Sequence, residues 1–234
     1  MLSTQRSRYN NIRVVGIVLA IMFAVSPALA SAADWRGRAI AQTNYGSGAT
    51  IGTTNPNVGA SASYEFIMSR VNAPENKFIQ TGWIKHVSCG SNPRVFVENY
   101  TGSGGYSNQC LMQYAPSGDN AYYQEYDAYT GYWCHGYNGM CVQSKSSSVI
   151  GFTTSSMVAA YGETHDRVAQ MGGVSQALAI WISNVSYKPT AIASQWNYIK
   201  STGSEYGTCT PVVCPYDYGY GTAATVFFTF NWTK

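Results

Sequence analysis

Beyond residue 33 the apolar positions fall into short runs that alternate with polar ones and stop at Gly, Pro, Asn or Ser. A two-residue period is what a strand with one buried face produces, and no stretch of helical period reaches a convincing length. The pattern predicts strands near 49–53, 63–71, 77–86, 94–100, 121–126, 132–137, 156–164, 177–187 and 225–232. Ile182, Val185 and Tyr187 break the alternation, which predicts a bulge. Turns are expected at Asn92-Pro93, Gly102 to Gly105, Asn138-Gly139 and Gly172-Gly173. The segment 34–48 reads as a loose end and 201–220 as a long loop. Many short strands joined by such turns make an all-β protein, an antiparallel two-sheet β-sandwich of jelly-roll or concanavalin-like type.

The first 33 residues follow a different rule. Arg6, Arg8 and Arg13 precede a twelve-residue apolar run from Val14 to Val25, and small residues then offer cleavage after Ala30, Ala32 or Ala33. The run is well short of the ~20 residues a bilayer demands. Residues 1–33 are therefore expected to be a signal peptide and 34–234 one secreted domain, extracellular or periplasmic, with no membrane association after cleavage. Removing three arginines from 14 Lys+Arg leaves 11 basic residues against 11 acidic ones. A neutral domain lacks the basic face that phosphate binding needs, so nucleic acid is not an expected partner.

Secretion gives the six cysteines their meaning. An even count in an oxidising compartment predicts three disulfides, paired between sequence neighbours: Cys89–Cys110, Cys134–Cys141 and Cys209–Cys214. Loops this short each add roughly 2–3 kcal/mol in the chain-entropy account. No C-x-x-C spacing or His repeat suggests a metal, and no cofactor is called for. Gly219-Tyr220-Gly221-Thr222-Ala223-Ala224 has the letters of a dinucleotide fingerprint but runs into a strand instead of opening a helix. Asn99, Asn184 and Asn231 begin glycosylation sequons, meaningful only in a eukaryotic host. Glu163 and His165 alternate on one expected strand, as a metal site or acid–base pair would require; a hydrogen-bonded structural couple meets the same description.

Five segments in order carry a resemblance: Ala49-Thr50-Ile51 with Asn55-Pro56-Asn57-Val58 and Glu65-Phe66; Ile79-Gln80-Thr81-Gly82-Trp83; Arg94-Val95-Phe96-Val97; Gly162-Glu163; and Gln170-Met171-Gly172. Together they resemble neprosin-type domains, from about Tyr45 to Phe230. Gln80-Thr81-Gly82, followed by Glu98 and Tyr100, is similar to the glutamine-bearing region of the eqolisins, fungal glutamic peptidases. Plant neprosins carry a Glu where Gln80 stands, so this chain departs from the neprosin pair and keeps the eqolisin-like one. The resemblance implies a two-sheet sandwich and a glutamic endopeptidase cutting unfolded or peptide substrates around proline, with Gln80 and Glu163 catalytic. Trp83, Glu98, Tyr161 and His165 would then contact substrate. Slid by a few residues, the same strand puts Ala159 or Ala160 in the acid's place and leaves no catalytic acid there. Plant neprosins carry an N-terminal activation region; only about 15 residues separate this leader from the first expected strand, so no masking segment is expected.

The chemistry suits those residue types. A carboxylate at Glu163 can take a proton from water and pass it to the leaving amine, and the Gln80 amide can donate to an oxyanion. Two other functions compete. Tyr122, Tyr123, Tyr126, Tyr129, Tyr132 and Trp133 are close enough in sequence to stack on sugar rings of a glycan or glycoprotein, or to pack a sheet. Glu98 and Glu163 form a glycosidase pair if their carboxyl groups lie about 5–10 Å apart. The domain is expected to be monomeric.

Overall fold

A computed structural model describes residues 34–55, 63–72, 77–102, 105–164, 180–199, 204–208, 217–219 and 228–231. The leader, Cys209–Cys214, His165 and Gln170-Met171-Gly172 lie outside the described residues. Among the described residues no helix is long and apolar enough to cross a membrane.

The elements are strands β1 (Asp34–Asn44), β2 (Gly46–Thr53), β3 (Ser63–Asn72), β4 (Phe78–His86), β5 (Arg94–Tyr100), β6 (Tyr106–Leu111), β7 (Gly118–Asp127), β8 (Tyr132–Tyr137) and β9 (Met140–Ser146). A four-residue helix α1 (Ser147–Ile150) follows, then β10 (Ser155–Thr164), β11 (Ile180–Tyr187), β12 (Asn197–Tyr198), β13 (Ser204–Thr208), β14 (Asp217–Gly219) and β15 (Phe228–Asn231). They form two antiparallel sheets. One runs β13-β1-β10-β3-β4-β5-β6; the other runs β14-β15-β11-β2-β7-β8-β9, with β12 paired to β11. The all-β sandwich read from the period is therefore what the chain adopts.

The core lies between the sheets. Trp83, Val95, Val97, Val158 and Ala160 from the seven-stranded sheet meet Ala49, Ile51, Tyr122 and Ile182 from the other. Buried polar ties cross the gap. Trp83 Nε1 donates to the Gly52 carbonyl at 3.0 Å, and Thr81 Oγ1 lies 2.9 Å from His135 Nδ1. A buried indole or hydroxyl must find a partner, and each finds it on the opposite sheet. Cys89–Cys110 clips the turn after β4 to β6, and Cys134–Cys141 closes the β8–β9 hairpin.

Residues 34–44, expected to be loose, form β1 and pair with both β10 and β13. Gly37 and Ala39 are buried along it but are too small to announce a strand by hydrophobicity, and the buried Asn44 is polar. The smallness is required: a Cβ at Gly37 would sit 2.1 Å from the Ala160 carbonyl oxygen. The expected loop 201–220 likewise contains β13 and β14. The predicted bulge is present, where β11 shifts register against β2 between Ser183 and Ser186. A second bulge falls in β3, where Ser69 is skipped by the ladders to both β10 and β4.

Candidate functional site

Alternation in β4 separates its side chains cleanly. Ile79, Thr81 and Trp83 point between the sheets; Gln80 and Ile84 point to the outer face of the seven-stranded sheet. Trp83, expected against substrate, is instead a fully buried core residue. On the outer face Gln80 meets Tyr161 of β10, whose hydroxyl donates to Gln80 Oε1 at 2.6 Å across the intervening strand. The bond occupies the carbonyl of the amide and leaves its NH₂ as the donor for other partners.

Glu98 stands directly opposite Gln80 on β5. Cα atoms of such partners lie about 4.5–5.5 Å apart and their side chains share a face. Around them Ala39, Phe96, Ala159 and Tyr161 form a second buried cluster. Gln80, Tyr161 and Glu98 are 1 %, 2 % and 3 % exposed, so the amide, the phenol and the carboxyl are all buried.

The register does not set Gln80 beside Glu163. Gln80 is level with Arg70 and, through it, with Ala159; Glu163 is level with Glu65 and Ile84. The offset is two strands sideways and four residues along, about 16 Å between Cα positions at ordinary strand spacing and rise. Glu98 is one strand further off, about 20 Å from Glu163, well beyond a glycosidase pair. The level partner of Gln80 on β10 is thus Ala159.

Electrostatics behind the site are set by burial. His135 is fully buried against Thr81, and desolvation holds its pKa down at about 3, so the ring is neutral near pH 7. Among the described residues no group of three or more His, Cys, Asp and Glu is arranged to hold a metal ion. The aromatic run divides: Tyr122 and Trp133 are core residues, Tyr126 packs beside Trp133, and Tyr129 and Tyr132 are exposed. Tyr123 lines a groove on the outer face of the eight-stranded sheet with Trp196 and Tyr198. Trp196 comes from the connection before β12 and Tyr198 from that two-residue strand, and neither gave a signal in the sequence.

No family model matches the chain, and no curated protein matches it. Solved structures do. SCP-B, a member of the eqolisin family of peptidases in complex with the tripeptide Ala-Ile-His, superposes with a TM-score of 0.50 at 10% identity, covering 86% of this chain and 99% of that one. Scytalido-glutamic peptidase with a peptide-based transition-state analogue gives a TM-score of 0.47 at 8% identity, covering 86% and 99%. The likeness to SCP-B is one of fold and does not single out neprosin-type domains. The chain has a glutamic-peptidase-like fold.

Proposed function

We propose that the protein is a secreted glutamic-type endopeptidase in which Gln80 stabilises the oxyanion and Glu98 is the general base. One observation supports this most: Gln80 is a buried amide on the outer face of its sheet, oriented by the Tyr161 hydroxyl and register-paired with a carboxylate. Glu98 takes a proton from water as the oxygen attacks the peptide carbonyl. The Gln80 NH₂ donates to the oxygen that gains charge. Glu98 then returns the proton to the leaving amine as the C–N bond breaks. Glu163, the acid expected from sequence, is too far along β10 to share this step with Gln80. Proline-containing unfolded peptides are the substrates of choice, on the resemblance around Gln80 alone.

A second reading has its own support. The position on β10 level with Gln80 is Ala159, so the face holds no acid there, and the protein on this reading binds peptide without cutting it.

The test is hydrolysis of a proline-rich peptide across pH 2–8 by the parent and by Gln80→Ala, Glu98→Gln and Glu163→Gln, each checked for folding. Losses of about 10²–10³ for Gln80→Ala and 10²–10⁴ for Glu98→Gln are expected, with Glu163→Gln near the parent. Loss in Glu163→Gln alone returns the role to that residue. A parent that binds the peptide and never cuts it leaves the second reading.

A further inference from the structure

The outer face of the eight-stranded sheet, on the far side of the sandwich from Gln80, carries a groove that the peptidase reading does not use. Its volume is about 400 Å³, within the ~300–1,000 Å³ of small-molecule clefts. Tyr123, Trp196 and Tyr198 supply its rings; Thr50, Glu125 and Asn184 supply polar groups. A second hollow of about 600 Å³ adjoins it, sharing Tyr123 and Glu125 and running over β8 and β9. Two adjoining hollows suit a chain molecule better than a single ring.

The rings are seated by glycines. A Cβ at Gly136 would fall 2.0 Å from Tyr123 Cζ, and one at Gly46 would fall 3.0 Å from the Trp196 indole and 2.6 Å from the Gln124 carbonyl. Tyr123 and Trp196 meet edge to face, their centroids 6.1 Å apart. Asn184 is held at φ +55°, left-handed backbone that costs a non-glycine residue about 1 kcal/mol or more. The β11 bulge carries it to the groove, where its Nδ2 donates to Thr50 Oγ1 at 3.2 Å.

Charge narrows the ligand. Glu125 is neutralised by the buried Lys188 at 2.6 Å. Asp127, in the second hollow, accepts from the Tyr129 amide and the Thr130 hydroxyl. The groove therefore offers ring faces, hydroxyls and an amide with its acids already engaged. The first hollow lies over interior strands β11, β2 and β7, whose backbone groups are paired within the sheet, so a peptide cannot add to those strands as a further one. A pyranose ring has one apolar C–H face and a rim of hydroxyls, which match an aromatic ring flanked by polar side chains.

We propose that this groove binds a neutral glycan chain, with Trp196 and Tyr123 stacking on its sugar rings and Asn184 holding hydroxyls. The protein is titrated with cellohexaose, chitohexaose and xylohexaose by calorimetry and tryptophan fluorescence. At least one binds, and Trp196→Ala weakens it roughly tenfold or more. Should Trp196→Ala unfold, Asn184→Gly and Tyr198→Ala decide, because glycine accepts the left-handed backbone and Tyr198 is 59 % exposed. Each of them weakens binding severalfold at unchanged melting temperature. Gln80→Ala binds sugar like the parent, which separates this groove from the peptidase face. The proposal is overturned if none of the three binds at about millimolar concentration, if the folded groove variants bind like the parent, or if only a proline-rich peptide binds in a Trp196-dependent way.

Discussion

The hydroxyl of Tyr161 reaches over an entire strand to hold the carboxamide oxygen of Gln80 at 2.6 Å. Both groups are buried, so neither has water to fall back on when the other is removed.

Tyr161→Phe should accordingly lower stability by about 1–3 kcal/mol, the cost of a buried acceptor left unsatisfied. Urea titration should show a lower midpoint at unchanged slope. A melt superimposable on the parent would mean the carbonyl finds another donor. If the protein is a peptidase, the same variant should lose kcat more than KM, because a loose amide binds substrate but meets the oxyanion poorly.

His135 makes stability depend on acid. Its folded pKa of about 3 lies below the ordinary 6.5, so the unfolded chain takes up the proton first. Stability fully present above pH 6.5 is lost as pH falls towards 3, at about 1.4 kcal/mol per pH unit from this residue alone. Denaturant midpoints at pH 7, 5.5 and 4.5 should fall steadily, and His135→Phe should flatten that trend. An unchanged slope in the variant would assign the acid sensitivity to other groups.

Gly37→Ala should be among the most damaging single-methyl additions. The new Cβ meets backbone, the Ala160 carbonyl oxygen at 2.1 Å, which no rotamer change relieves. A loss of about 1–3 kcal/mol is expected from such overpacking, with loosening of β1 visible as faster amide exchange. Normal stability would require the β1–β10 ladder to move apart.

Mass mapping of the unreduced protein should recover the Cys89–Cys110 and Cys134–Cys141 peptides, and a Cys209–Cys214 peptide by the same nearest-neighbour logic. A Cys89–Cys209 peptide would contradict it. Replacing Cys134 and Cys141 together with Ala should cost about 2 kcal/mol, since the loop they close is short.

Local rules carried the sequence reading a long way. Strands 94–100 and 132–137 were legible to the residue because Val95, Val97, Trp133 and His135 alternate between clear turn signals. The same alternation sets Trp83 on the face opposite Gln80, against the substrate contact that the resemblance implied for it. What failed was either quiet or long-range. Gly37 and Ala39 are buried without being large, and the strands at 204–208 and 217–219 hide among Gly, Ser and Tyr. The carboxylate beside Gln80 depends on how β4 meets β5, and strand alternation is blind to that pairing. Trp196 reaches its groove from a segment with no periodic signal at all.

The skipped residue in β3 has a further reach. Because both neighbours pass over Ser69 together, β10 and β4 keep a common frame while β3 changes its own partway along. Positions 63–68 and 70–72 of that strand thus belong to opposite parities, and Arg70 rather than Ser69 stands between Gln80 and Ala159. For a lineage this makes β3 a place where one residue can be gained or lost at little cost to the rest of the sheet. Against a relative that lacks the extra residue, a gapless match through β3 puts half of the strand out of register, and a single inserted gap restores it.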